Sequence, residues 1–236
     1  MKPHPLLLGI LAVQLALGIL YSFAVPLWQG HEADYYNVVR FLDQNGRLPN
    51  ATDFPNGDAE IRQATHPPLY FLAAYPFVAA FPHDEPVPPG AQPALICVGA
   101  NDINAAYTPY PPTRAYLPPY SGAAAAGYAL RLFNVALGMA GVVFTYLAGR
   151  TLFPSRTAVA LAGAALLAFE GNMVRLNGGI SNDTLLITLS ALNLWCCALL
   201  VRRFQWRVLA LLVISVALAL LTRLGGWALL AFDLPF

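Results

Sequence analysis

The amino-acid sequence predicts an all-α fold, a polytopic bundle of transmembrane helices with amphipathic juxtamembrane helices in a large first outer loop. Composition is the first reason, because 58% of the 236 residues are hydrophobic and only 11% are charged, whereas soluble domains usually carry about 25% charged residues. The second reason is that the apolar residues gather in long runs separated by short basic segments. The formal net charge is +1 and the sequence has no basic stripe, so we expect no nucleic-acid partner.

The first apolar run, residues 6–28, begins shortly after Lys2. The apolar core of a signal peptide covers about 7–15 residues and ends at a small-residue cleavage site. Because this run is longer and has no clear site of that kind, we interpret it as an uncleaved membrane anchor. Tyr21 and Trp28 suit the far membrane interface, and Lys2 keeps the N-terminus in the cytoplasm.

Four further apolar segments are long enough to cross a bilayer. They cover residues 124–149, 157–174, 184–201 and 208–232. The run at 68–81 is different, because its helical length of about 21 Å falls short of the ~30 Å hydrocarbon core. Pro76 also interrupts this run. We therefore expect an interfacial helix there rather than a span.

Basic residues in the connecting loops predict the orientation, because short cytoplasmic loops are enriched in arginine and lysine. If residues 67–81 do not cross, two loops with five arginines face the cytoplasm and one loop with only Arg175 faces outside. The five are Arg150, Arg156, Arg202, Arg203 and Arg207. The sequence thus predicts a multi-pass integral membrane protein with residues 29–123 as one extracytoplasmic loop, in which 32–45 and 67–81 form interfacial helices.

The segment 32–45 carries apolar residues at helical spacing, and Gly46 and Pro49 follow it as termination signals. This pattern predicts a short amphipathic helix that lies on the membrane surface. Glu32 and Asp34 fall in its first turn, where the helix dipole favours negative charge. That structural role is one explanation for the two acids, and a site at the outer membrane surface is the other.

Ionisable residues also occur near the outer ends of the predicted spans. Asp183 begins a span in the stretch SNDTLL, where either helix capping or a functional site explains it. Arg131 lies inside a span, where a buried cation is costly and usually functional, although its long side chain can also reach the nearby interface. Arg223 follows the same logic at the end of the last span, and arginine suits bidentate phosphate binding. His66 stands just before the second interfacial helix.

Taken in order, these features resemble a known family. A first helix ending in LWQ is followed by HEADYY, by an amphipathic helix closing with NGRLP, by HPPLY, and then by LRLFNV, GGISNDTLL and LLTRLGG. The sequence resembles the N-terminal part of a GT-C superfamily membrane glycosyltransferase, similar to protein O-mannosyltransferases, aminoarabinose transferases and their bacterial relatives. Members of that family are longer, so we expect this chain to be part of a longer protein of the bacterial cytoplasmic membrane.

The resemblance implies that a sugar is transferred from a polyprenyl-phosphate donor to a hydroxyl of a protein, lipid or glycan, beside membrane lipid at the extracytoplasmic face. It further implies that an acid in the first outer loop deprotonates the acceptor. Glu32 matches the second member of the family's usual Asp-Glu pair. His31 replaces the first member. It is therefore a second candidate base, a metal ligand, the mark of a branch in which Glu32 acts alone, or the mark of an inactive protein. Asp183 is expected near the donor head group.

The remaining candidates are expected to bind substrate. Arg131 and Arg223 are expected to bind phosphate, His66 to contact phosphate or acceptor, and Asp34 to take part in substrate binding. A divalent cation is compatible with the resemblance, but the sequence has no metal-spaced set of cysteines and histidines that demands one. Three cysteines are too few for a disulfide framework.

Two other functions stay open on the sequence alone. A transporter would place its ionisable groups near the midplane, between repeated halves, whereas here these groups crowd one predicted face. An inactive fragment is the second alternative, because His31 departs from the acidic pattern of the resembled family.

Overall fold

The computed structural model describes residues 4–28, 31–50, 53, 65–82 and 118–227, and in these ranges the regular secondary structure is helical throughout. The all-α prediction is therefore confirmed. The helices are α1 (Pro5–Ala24), α2 (Glu32–Asn45), α3 (Leu69–Ala79), α4 (Gly122–Leu152), α5 (Thr157–Phe169), α6 (Gly171–Gly178), α7 (Asn182–Arg202) and α8 (Trp206–Leu220). A 3-10 turn, Leu224–Gly226, follows α8. The end of the predicted span 208–232 and most of the predicted outer loop lie outside the described residues.

Several of these helices have the length and composition of membrane spans. In the described part of the chain, α1, α4 and α7 are long and apolar enough to cross a bilayer, and the pair α5 and α6 qualifies if it counts as one bent span. Helices α3 and α8 are apolar but shorter. These features support an integral, multi-pass membrane protein.

The segment predicted as one span at 157–174 is broken in the structure. Helix α5 ends at Phe169, and α6 starts at Gly171 at an angle of 61° to it. Glu170 between them has an extended backbone, and its carboxylate accepts hydrogen bonds from the backbone N–H groups of Asn172 and Met173 at 3.1 and 2.7 Å. The spacing of Glu170 and Arg175 predicts a local ion pair, but Glu170 instead caps the second helix because free N–H groups at a helix start attract carboxylates.

The described residues divide into two compact units, one of residues 4–22 with 132–227 and one of the described part of 23–131. In the first unit, α1 buries a narrow stripe that includes Gly18 and Ser22. The Ser22 hydroxyl donates to the Gly178 carbonyl at 3.2 Å, and a Cβ on Gly18 would lie 2.9 Å from the Val135 side chain. Small residues thus allow α1 to approach its neighbours closely, as is typical of helices packed in membranes.

Gly149 provides a stability prediction for this unit, because α4 and α5 nearly touch there. A Cβ at Gly149 would lie 2.7 Å from Cα of Ala160, so the backbone itself would have to move. We expect Gly149→Ala to lower the free energy of unfolding by about 1–3 kcal/mol, despite the gain in helix propensity of up to about 1 kcal/mol. The measurement is the thermal unfolding midpoint in detergent.

Gly9→Ala is the matched control, because among the described residues no heavy atom outside the adjoining backbone of its own helix lies within 4 Å of the added Cβ. It should leave the unfolding midpoint unchanged or raise it. Equal midpoints for the two variants would contradict the close approach of α4 and α5.

The second unit is built around the packing of α2 on α3. The ring of Tyr35 lies 5.8 Å from that of Tyr70 and 6.2 Å from that of Phe71, measured between centroids. Helix α2 ends where Gly46, with φ of 63°, donates its N–H to the Leu42 carbonyl at 2.9 Å, as the sequence predicts. Residues 32–39 are all buried, so the first half of α2 is enclosed on every side. The single buried stripe of a surface helix, which periodicity predicts, therefore does not describe it.

Candidate functional site

The predicted site residues form two groups, one in each unit, and the first group surrounds the start of α2. We call Glu32, Arg131, His31 and Asp34 the corner cluster. Arg131 is fully buried, and its guanidinium donates from Nε to Oε1 of Glu32 at 3.0 Å and from Nη2 to Oε2 at 2.6 Å. This is a bidentate arginine–carboxylate pair, the geometry in which such hydrogen bonds are strongest.

The same guanidinium also holds the chain that follows α1. Arg131 donates from Nη1 to the Val25 carbonyl at 2.6 Å and from Nη2 to the Pro26 carbonyl at 2.8 Å. The backbone N–H of Trp28 in turn donates to Oε2 of Glu32 at 2.9 Å. The Glu32–Arg131 pair therefore joins the end of α1, the start of α2 and the first part of α4 within one unit.

Trp28 shows how firmly this corner is held. Its φ of 70° lies in the left-handed region, which is unfavourable for a bulky side chain. The indole is nevertheless almost fully buried, with its ring 4.9 Å from that of Tyr36. A Cβ on Gly127 would lie 2.8 Å from the indole, so only glycine leaves room for it. Packing and the hydrogen bond to Glu32 together offset the backbone strain.

His31 and Asp34 form the second part of the corner cluster. Nδ1 of His31 lies 3.0 Å from Oδ2 of Asp34. The imidazole is about 50% exposed, whereas the Asp34 side chain is only 3% exposed. His31 precedes α2 at the N-cap position but makes no capping hydrogen bond with its side chain. A buried carboxylate therefore orients an accessible imidazole.

The second group, in the other unit, is the pair of Asp183 and Arg223. Ser181 is the N-cap of α7, because its hydroxyl accepts from the Asp183 N–H at 3.2 Å. The Asp183 carboxylate is not used for capping and instead accepts a hydrogen bond from Nη1 of Arg223. Both side chains are about one-third exposed, at 31% for Asp183 and 36% for Arg223. The pair is therefore accessible, in contrast to the buried pair of Glu32 and Arg131.

Buried amides hold the backbone beside this pair. Asn182 donates to the Thr222 carbonyl at 3.3 Å. Asn134, which is fully buried in α4, donates to the Gly179 carbonyl at 2.6 Å and to the Ser181 carbonyl at 3.3 Å. Asn134 is not among the residues predicted from the sequence, although a polar residue three positions after Arg131 in an apolar span is a signal that points to it.

Ionisable side chains outside these two sets of residues have pKa values that are shifted by a neighbouring residue or by burial. The Arg47 guanidinium donates to both oxygens of Asp53 at 2.8 and 2.7 Å, and this contact lowers the pKa of Asp53 to about 2. A side-chain hydrogen bond to Asp43 raises the pKa of Tyr75, and burial lowers the pKa of Arg40. These residues lie in and around the second half of α2, and none of the three shifts involves the corner cluster.

His66 is the remaining predicted residue, and it lies in the same unit as the corner cluster, partly buried and three residues before α3. In the described ranges, no group of three or more His, Cys, Asp or Glu residues is arranged to hold a metal ion. The structure thus brings Glu32 to Arg131, His31 to Asp34, and Asp183 to Arg223.

A comparison with protein families finds a match within the second half of the chain. Residues 123–232 match the family of dolichyl-phosphate-mannose-protein mannosyltransferases, a segment that contains Arg131, Asp183 and Arg223. The match confirms the resemblance to GT-C glycosyltransferases and supports a membrane glycosyltransferase of the mannosyltransferase type. No curated protein and no solved structure was found that matches the chain.

Proposed function

From the match of residues 123–232 to dolichyl-phosphate-mannose-protein mannosyltransferases, we propose that this chain transfers a sugar from a polyprenyl-phosphate donor to an acceptor hydroxyl. The proposed reaction takes place at the extracytoplasmic face of the bacterial cytoplasmic membrane. The acceptor is a hydroxyl of a protein, lipid or glycan. The observation that carries the proposal is the accessible Asp183–Arg223 pair inside the matched segment.

Arg223 suits the phosphate of the donor for two reasons. Its guanidinium is partly exposed next to the end of an apolar helix, where the head group of a membrane lipid would lie. Arginine binds phosphate oxygens through parallel N–H donors. When the bond between sugar and phosphate breaks, negative charge accumulates on the phosphate, and a nearby guanidinium stabilises it. Asp183 holds the guanidinium in place before the donor binds.

Arg131 has a different role in this proposal. Its guanidinium is fully buried and donates to Glu32 and to two backbone carbonyls. We therefore assign phosphate binding to Arg223, and we assign to Arg131 the positioning of the first outer loop. His66, which lies in the unit of the corner cluster, remains a candidate contact to the acceptor or the phosphate.

The test uses the full chain in proteoliposomes that contain radiolabelled mannosyl polyprenyl phosphate, with a serine- and threonine-rich peptide and a lipid extract as acceptors. We expect the label to leave the donor lipid and appear in one of the acceptors at a rate above that of empty vesicles. Arg175→Ala is the matched control for arginine variants, because Arg175 is exposed and contacts Asn172. Donor lipid that stays intact under all these conditions would contradict the proposed function.

A further inference from the structure

We infer that His31 and Asp34 form the proton-accepting pair of the transfer reaction and that Glu32 is a structural carboxylate. This inference rests on the proposed function and refines it. The resemblance to GT-C enzymes makes Glu32 the first candidate for the base. The contacts of His31, Glu32 and Asp34, however, indicate a different role for each of these side chains.

Glu32 is poorly placed to take a proton from an acceptor. Its side chain is only 9% exposed, and its two oxygens accept from Arg131 Nε, from Arg131 Nη2 and from the Trp28 N–H. A general base must come within about 2.6–3.2 Å of the group whose proton it takes. An acceptor could reach Glu32 only by displacing a bidentate hydrogen-bonded pair from a buried position, which would leave the Arg131 charge unpaired.

His31 has the opposite properties. Its imidazole is half-exposed, and it is not used to cap α2. Because an ionised carboxylate only accepts hydrogen bonds, the 3.0 Å contact with Asp34 requires a proton on Nδ1 of His31. Nε2 of a neutral His31 then carries the lone pair and is the nitrogen that can take a proton. A nucleophile, a base and a group that orients the base form a recurring catalytic arrangement.

The surrounding contacts keep this imidazole in place. The carbonyl of His31 accepts the first helical hydrogen bond of α2, from the Tyr35 N–H at 3.1 Å. Glu32, the next residue, is held by Arg131. The backbone of His31 is therefore held by the corner cluster while its ring remains accessible, as a catalytic group requires.

The proposed step moves one proton and exchanges one bond at the anomeric carbon of the sugar. Nε2 of His31 takes the proton of the acceptor hydroxyl, and the acceptor oxygen forms a bond to the anomeric carbon of the sugar. The bond between that carbon and the phosphate oxygen breaks, and its electron pair leaves with the polyprenyl phosphate. Asp34 stabilises the imidazolium that forms, and the proton then passes from His31 to water. Asp34 is a positioning residue in this scheme, because it acts through His31.

The test compares the transfer rates of His31→Ala, Asp34→Asn and the double variant in the proteoliposome assay. We expect His31→Ala to lower kcat by about 10²- to 10⁴-fold and Asp34→Asn to lower it by about tenfold or more. The double variant should be no slower than His31→Ala, because Asp34 has no imidazole left to orient. Free imidazole should restore part of the rate of His31→Ala, which a purely structural role would not produce.

Two controls match these changes. Asp53→Asn makes the same carboxylate-to-amide change in the Arg47–Asp53 pair, whose arginine is half-exposed, and His4→Ala removes another histidine. Both should transfer at the wild-type rate. Thermal unfolding in detergent verifies that each variant is folded, and His31→Gln replaces His31→Ala if the latter is not.

The outcomes separate the inference from the proposed function. A wild-type chain that never consumes the donor lipid would overturn the proposed function and the inference together. A wild-type chain that transfers sugar, with His31→Ala and His31→Gln equally fast, would overturn the inference alone. A slow His31→Ala variant without imidazole rescue, with an additive effect of Asp34→Asn, would assign both residues a structural role and would also overturn it.

Discussion

Glu32→Gln is expected to lower the free energy of unfolding by about 3–5 kcal/mol, because it leaves a buried guanidinium without its charged partner. The Arg131 side chain is fully enclosed, and Glu32 accepts its hydrogen bonds at 2.6 and 3.0 Å. An amide keeps one acceptor oxygen but turns an N–H₂ group towards the guanidinium, so one hydrogen bond becomes a contact between two donors. The measurement is the unfolding midpoint of the purified chain in detergent.

Glu170→Gln is the matched control, because Glu170 also accepts hydrogen bonds from backbone N–H groups but forms no ion pair with a buried arginine in the part of the chain that the structure describes. Loss of charge at this cap should cost about 0.5–2 kcal/mol at most. If Glu32→Gln is no more destabilising than Glu170→Gln, the buried pair does not hold the corner together.

A double variant separates the loss of the pair from the loss of a single partner. Glu32→Gln combined with Arg131→Met removes both charges, and the pair of neutral side chains should be more stable than Glu32→Gln alone. The carbonyls of Val25 and Pro26 lose the Arg131 donors in this double variant, so we expect partial rather than full recovery. A double variant as unstable as the sum of the two single variants would show no coupling between Glu32 and Arg131.

Arg223→Ala is expected to lower the transfer rate by about 10- to 100-fold, because charge-assisted hydrogen bonds contribute about 1.5–3 kcal/mol each. The folded state should change little, because the Asp183–Arg223 pair is about one-third exposed and exposed ion pairs contribute about 0–1 kcal/mol. Arg223→Lys should retain an intermediate rate, because lysine keeps the charge but cannot form the bidentate contact. The rates are measured with mannosyl polyprenyl phosphate in proteoliposomes.

Exchanging the two charges gives a sharper test of the phosphate role. The double variant Asp183→Arg and Arg223→Asp can still form an ion pair, but its cation then lies on the first turn of α7 instead of after α8. We expect normal unfolding and little transfer. A wild-type rate in the exchanged variant would mean that only the pair itself matters and not the position of the cation.

Some features of this fold can be predicted from the sequence alone. Apolar runs and sparse charge predict the membrane helices, because about 20 consecutive apolar residues are needed to cross the hydrocarbon core. Gly46 predicts the end of α2, because a glycine with φ of 63° closes the helix locally. Both features depend on residues that are close together in the chain, so the sequence is enough to predict them.

The break at Glu170 could not be predicted from the neighbouring sequence. The sequence 157–174 has the length of a span, yet α5 and α6 meet at 61°. Glu170 caps α6 through nearby backbone N–H groups. However, the same sequence pattern, an acid three positions before an apolar residue, also occurs within continuous helices. Whether such an acid caps a new helix depends on the direction in which the following chain packs.

The contacts and the exposure of the candidate site residues were decided by tertiary structure. The sequence by itself determined that acids and arginines stand near the ends of apolar helices, and through its resemblance to GT-C enzymes it singled out Glu32, Asp183 and Arg223. Only the folded chain brings Arg131 onto Glu32, 99 positions away, and leaves His31 as the accessible member of the corner cluster. The physical reason is that burial and hydrogen-bond direction arise from contacts between distant segments, and the spacing of residues along one helix carries no information about them.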